Sequence, residues 1–234
     1  MNPTQTQTVS KHRGPHLGML AIIYAALFIA GLSFVISFSS DPHFPGPWES
    51  GDTIAAYFKN CPNAVRWCAS LQFGAAIPLG IFAATVASRF QFLGIRVAGV
   101  YITLFGGFLT AFNIIVASQI IWALTCPDVA QNADVVRAFY YVAFALGGVG
   151  FSVPFGLMIA GICIISAFMK LLPKWLIILG LLIAVAGEFS YFDLFTPKAL
   201  PLIPLTRFPG FIWLIITGFS LPKSRRINQG DQST

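Results

Sequence analysis

Apolar residues along this chain gather into six long runs separated by short polar stretches: Leu17 to Phe38, Ala64 to Ala87, Val97 to Trp122, Ala138 to Met169, Trp175 to Phe192 and Ile203 to Leu221. A helix rising about 1.5 Å per residue needs about 20 mostly apolar residues to cross a hydrocarbon layer about 30 Å thick, and the runs are of that order. Backbone polar groups find no water there, which selects helices over open strands. The pattern therefore predicts an all-α polytopic membrane protein. Its six transmembrane helices form a compact bundle over residues 15–222, with polar, disordered tails at 1–14 and 223–234. The first run follows Lys11 and Arg13 as a signal peptide would, but it is too long for such a segment and no small-residue cleavage site follows, so it is read as a retained span. The fourth run is long enough to project beyond the bilayer, or to tilt or kink at Pro154, and it has no loop at which to divide.

Charge sorts by side. Lys11, Arg13, Arg89, Arg96, Lys170, Lys174, Lys223, Arg225 and Arg226 fall at one end of the predicted spans with a single acid, Asp231. Asp41, Glu49, Asp52, Asp128, Asp134 and Asp193 fall at the other, with Lys59, Lys198 and three arginines. The excess of Lys and Arg marks the cytoplasmic side and places both termini there. Composition agrees with a lipid environment, since 56% of the 234 residues are hydrophobic and only 9% charged. The net charge of +6 is then topogenic, facing anionic headgroups, and implies no nucleic-acid partner.

Little protein lies outside the spans. The longest loop, Ser39 to Asn63, opens with Asp41-Pro42-His43-Phe44-Pro45-Gly46-Pro47 and offers Asp52 as a cap for a short helix through Phe58. Trp48, Tyr57 and Phe58 suit the headgroup zone, so this segment is expected to lie on the membrane surface. Cys61 and Cys126 both face the outer compartment, each followed by proline, and are candidates for a disulfide between the first two outer loops. Cys68 and Cys163 fall within spans as small apolar fillers.

Several chemistries lack their residues. His12, His16 and His43 all lie outside the spans, so no span offers an axial imidazole for haem; no cysteine spacing suits a metal, and His12 and His16, though spaced i,i+4, lie in a tail beside Lys11 and Arg13 and are read as solvated. There is no H-E-x-x-H, P-loop or G-x-S-x-G. Glu188 is the one carboxylate clearly inside a span, which argues against paired-carboxylate catalysis. No cofactor is expected, and the pattern leans away from an enzyme.

The polar residues that enter the spans carry the remaining information. Glu188 shares a helical face with Gly180, Ala184, Gly187 and Tyr191, and small residues there predict close approach of a neighbour, with Glu188 turned into the bundle. Asn113 reaches a comparable depth on a face with Gly106, Thr110 and Ala117. Gly148, Ser152, Gly156 and Ala160 form a four-residue seam read as helix packing. Arg66, Arg137 and Arg207 recur at intervals of 71 and 70 residues, and Pro78-Leu79-Gly80-Ile81 is echoed by Pro154-Phe155-Gly156-Leu157 and, more briefly, by Pro209-Gly210-Phe211-Ile212. Either three parallel hairpins arose by duplication or spans of standard length impose the period. Packed about one axis, Arg66, Gln72, Asn113, Arg137, Glu188, Tyr191 and Arg207 would converge below the outer surface. They would form an ion-pair network with Asp134 and Asp193, or an outward-facing pocket with positive charge to spare for an anionic group.

The run Arg207-Phe208-Pro209-Gly210-Phe211-Ile212-Trp213, with six helices, a Pro-containing first outer loop and a basic carboxyl-terminal end, resembles bacterial multi-pass proteins known only as a domain of unknown function. The resemblance implies a bacterial inner membrane and carries no activity. Three functions stay open. The chain binds or moves a small amphipathic or anionic molecule, or it is a structural or regulatory subunit contacting a second copy or another membrane protein through the Gly148 seam. The third is a lipid-modifying enzyme with Glu188 as base and arginines on a phosphate.

Overall fold

The computed structural model of the chain describes residues 7–36 and 43–228, so Asp41 and Asp231 lie outside the described residues. Among the described residues nine α-helices follow in order: α1 (Leu17–Ser33), α2 (Gly51–Asn60), α3 (Pro62–Phe92), α4 (Ala98–Ala123), α5 (Pro127–Ala130), α6 (Ala133–Gly147), α7 (Val149–Met169), α8 (Lys174–Phe189) and α9 (Leu202–Ser220). Short 3₁₀ segments at Ser190–Leu194 and Pro197–Ala199 join α8 to α9. Five stretches are long and apolar enough to cross a membrane: α3, α4, the α6–α7 pair, α8 with its 3₁₀ extension, and α9 with the turn before it. The architecture is that of a multi-pass membrane protein. At 17 residues α1 is apolar but shorter.

The long helices close into a ring in which α1 packs on α3, α3 on α4, α4 on α7, α7 on α8, α8 on α9, and α9 back on α1. Successive helices alternate in direction, and both described ends of the chain meet at one end of the ring. There β1 (Gln7–Lys11) pairs antiparallel with β2 (Ser224–Asn228), so these parts of the expected disordered tails form a two-stranded ribbon. The His12 amide donates to the Lys223 carbonyl at 2.9 Å, and His12 Nε2 lies 3.1 Å from Ser88 Oγ. Arg89, which the charge pattern assigns to an exposed loop, is only 2% exposed. It donates to the Leu221 carbonyl at 3.3 Å, where a cation complements the carboxyl-terminal end of α9. Burial, and then the Arg89 charge, hold the His12 imidazole below its ordinary pKa.

The fourth apolar run does divide, though not at Pro154. Gly148, with φ −90° and ψ −92°, separates α6 from α7 without a loop, while Pro154 sits inside an unbroken α7. Adjacent glycines at 147 and 148 supply the weak point. Proline at 154 removes the amide that would bond the Gly150 carbonyl. The Asn113 side chain donates to that carbonyl instead. The interruption after Gly147 frees a second carbonyl, and Arg207 donates to it.

Small residues set the helix spacing. A Cβ on Gly156 would stand 2.9 Å from the Ala184 carbonyl oxygen and 3.3 Å from Gly187 Cα, and one on Gly187 would stand 2.7 Å from the Ser152 carbonyl oxygen. The Gly148–Ser152–Gly156 seam is therefore buried between α7 and its own neighbours, with Ala160 half-buried below it. Gly180 lies against Trp213, whose Nε1 donates to the Leu176 carbonyl at 2.7 Å. Gly156→Leu is expected to force α7 from α8 and destabilise the purified protein by about 1–3 kcal/mol. Asn113→Ala, which strands the Gly150 carbonyl, should cost a similar amount, about 1–3 kcal/mol. Thermal unfolding in detergent measures both, and a wild-type midpoint for either variant would contradict this packing.

Candidate functional site

In the half away from the β1–β2 ribbon the ring is not filled by side chains. A cavity of about 550 Å³ opens there, within the size range of small-molecule sites. Its floor is aromatic: Phe28 from α1 and Phe151 from α7 face it, backed by Tyr24, Phe155 and Phe211, with the Phe28 and Phe211 ring centres 5.3 Å apart. Apolar walls come from Leu32, Cys68, Ile114, Ala117 and Ile203. Gln72 and Arg207 bring the polar groups, and Gly147 and Gly148 place the start of α7 in the wall. α6 ends where α7 begins, so the positive amino-terminus of α7 is offset by the carboxyl-terminal carbonyls of α6.

Arg207 dominates the electrostatics. Its guanidinium carbon lies 4.6 Å from the Phe151 ring centre and 5.2 Å from that of Phe28, held between two π faces. One terminal nitrogen donates to Gly147, while Nε is buried with no partner. The Tyr24 hydroxyl, whose ring packs 6.3 Å from Phe28, is also buried and unpartnered. Among the described residues no carboxylate reaches Arg207, and the one ion pair is His43–Glu49 at 3.1 Å, at the outer surface. The fold thus holds a cation in an apolar cavity with hydrogen-bonding capacity unused.

The outer loop forms a roof over this space. Ser50, not Asp52, caps α2, accepting from the Thr53 amide at 3.1 Å, and Asp52 falls in the first turn. Ile54, Tyr57 and Phe58 are buried against Val65, Val136 and Tyr140, so α2 packs onto the bundle and Tyr57 and Phe58 do not face headgroups. Only Trp48 keeps the exposed position expected of it. Tyr140 donates to the Pro45 carbonyl at 2.6 Å and, with Phe44, closes the cavity from above.

The residues singled out in the sequence are distributed unequally. Gln72 and Arg207 line the cavity, and Asn113 lies one residue from its wall but is engaged with Gly150. Arg66 is exposed and donates to Thr125 Oγ1 at 2.9 Å and to its carbonyl at 3.2 Å. Arg137 is exposed and lies over Tyr141 at 5.9 Å. Glu188 is exposed on the outer side of α8, so it neither faces the bundle nor meets an arginine. Tyr191 is exposed in the 3₁₀ segment, packed on Phe192 and Phe195. Cys61 and Cys126 are half-buried free thiols, not the disulfide considered from sequence. No group of three metal-ligating side chains occurs among the described residues. The aromatic floor and Gly147 escape sequence reasoning, although the Gly147–Gly148 pair inside a long apolar run was a visible signal.

Comparison with known proteins gives no match to any protein family, curated protein or solved structure.

Beside the roof, Glu49 accepts from the Gly46 amide at 2.7 Å and lies 3.1 Å from His43 Nε2, and these bonds hold its carboxyl below the ordinary value of 4.5. A depressed carboxyl stabilises the turn fully above that ordinary value and less as pH falls through the depressed one. Hydrogen exchange at Gly46, corrected for its intrinsic rate, is expected to accelerate below about pH 4. A pH-independent corrected rate would contradict this role for Glu49.

Proposed function

We propose that the chain is a six-pass protein of a bacterial inner membrane with both termini cytoplasmic, and that it binds a small amphipathic anion in the outer cavity. The observation that carries this reading is Arg207: a guanidinium with no carboxylate partner among the described residues, lining a 550 Å³ cavity whose walls are otherwise almost wholly apolar. An isolated cation there lacks the compensation that a carboxylate or phosphate would supply, and the fork of a guanidinium suits either. Apolar walls suit a hydrocarbon portion. Gln72 supplies an uncharged donor nearby.

The remaining readings have less support. A subunit docking through the Gly148 seam would need a surface that α7 already spends inside the chain. A lipid-modifying enzyme with Glu188 as base would need that carboxylate beside the arginines. The sixth pass rests on α1, which runs beside α3 and α9 from Leu17 at the ribbon end towards Ser33 at the roof end.

Two measurements test the proposal. In purified protein, Arg207→Gln is expected to weaken binding of a long-chain carboxylate such as oleate by about 10- to 100-fold, the worth of a charged hydrogen bond. Arg207→Lys should recover part of that loss, and Glu188→Gln should behave as wild type. Oleate binding that ignores Arg207→Gln would overturn the reading. A fluorescent reporter fused after Thr234 should fluoresce, whereas an alkaline phosphatase fused there should be inactive; the reverse result would place the carboxyl terminus outside.

A further inference from the structure

The cavity is roofed towards the aqueous side but not walled on every flank. Phe144 of α6 and Pro204 of α9 both line it, yet α6 packs on α2, α4, α5 and α7, whereas α9 packs on α1, α7 and α8. Among the described residues these two helices share no extensive packing, and the Arg207–Gly147 bond is what joins them. Pro201 and Pro204, both lining residues, are exposed, and Phe144 and Leu200 are half-buried, so the cavity reaches the surface along this flank. The roof residues behave differently: Tyr140 is only 3% exposed and is tied to Pro45. Trp48, 61% exposed, meets the Phe144 ring edge-on at 6.2 Å between centres. An exposed indole in a membrane protein marks the headgroup level, which puts the opening just beneath it.

We infer that the interval between α6 and α9 is a lateral portal, through which a single-chain amphiphile with an anionic head reaches Arg207 from the outer leaflet and not from water. This rests on the anion-binding reading above and adds the ligand's source and route. The chemistry is consistent along the path. A hydrocarbon chain crossing from the bilayer to this cavity exchanges one apolar environment for another, so its transfer costs little. The head moves from the interface to a guanidinium, the one positive group among the described lining residues. A water-soluble anion would instead have to displace the packed roof of Phe44, Tyr140 and Pro45.

The test closes the portal reversibly. In full-length protein carrying Cys61→Ser, Cys68→Ala and Cys126→Ser, Phe144→Cys and Pro204→Cys are bridged by a short bis-methanethiosulfonate, which forms a disulfide with each thiol and releases methanesulfinate, in phosphatidylcholine nanodiscs. Radiolabelled oleate is the probe, and its loading and release are followed before bridging, after bridging and after reduction. The portal predicts that bridging slows both at least 10-fold, that reduction restores them, and that loading of the unbridged protein follows the mole fraction of oleate in the bilayer. Unchanged rates after bridging confirmed by mass, with binding still dependent on Arg207, would overturn the portal and leave the anion site standing. Loading that follows aqueous oleate supplied on albumin would overturn the outer-leaflet source. Absence of saturable binding in the wild-type protein would overturn the anion site and the portal with it. Phe144→Trp gives an independent reading should the double variant fail to fold: the larger ring narrows the interval, so loading slows severalfold, and wild-type loading overturns the portal.

Discussion

A helix that breaks within a membrane must find partners for the carbonyls it releases, because hydrocarbon supplies none. The α6–α7 helix faces this requirement at Gly147, where the helix is interrupted, and at Gly150, where Pro154 withholds its amide. Asn113 answers one and Arg207 the other. Much of the outer half follows from these two bonds. Asn113 ties α4 to α7, and Arg207 draws α9 towards the break, so its side chain lies across the inside of the ring and not along its surface.

Arg207 consequently links architecture and chemistry. Packed between Phe28 and Phe151, it caps a backbone carbonyl and is the one charged group among the described lining residues. Its long apolar stem and planar head allow both roles, since the guanidinium carries more donors than one carbonyl can accept. The aromatic residues beneath it are fully packed: Phe151 and Phe155 are 0% exposed, so the floor is solid and the empty volume lies above it. The outer loop contributes a second apolar cluster over the top, leaving the flank between α6 and α9 as the least covered boundary.

The class of fold was legible in the sequence because runs of about 20 apolar residues leave a chain few alternatives. Side-chain direction was much less legible. On α8 the buried residues Leu176, Ile177, Gly180, Ile183, Ala184 and Gly187 share one face. At 100° per residue Glu188 stands about 80° from Gly180, at the edge of that face, and the structure turns it outward. Tyr191 follows the change to 3₁₀ geometry at Ser190, where α-helical spacing no longer applies. Equal spacing of Arg66, Arg137 and Arg207 suggested equal depth. Yet Arg137 precedes Gly147, the residue that Arg207 reaches, by ten positions, or about 15 Å of helix. The sequence also held the conjunction of Gly147-Gly148 with Pro154 four residues beyond Gly150. It marks a stretch whose released carbonyls need donors from other helices.

The ribbon that pairs residues 7–11 with 224–228 has a consequence for how the chain is strung. It brings the first and last helices side by side, with Gly218 packed on Gly18, so the ring of helices is also nearly closed as a covalent path. Such a closed path has no privileged starting point. Joining the ends beyond the ribbon and cutting the short turn between α7 and α8 would give a circular permutant that keeps every helix neighbour, and linking ends already held together demands little loop-closure entropy. The order in which the helices leave the ribosome is then separable from the arrangement they finally adopt.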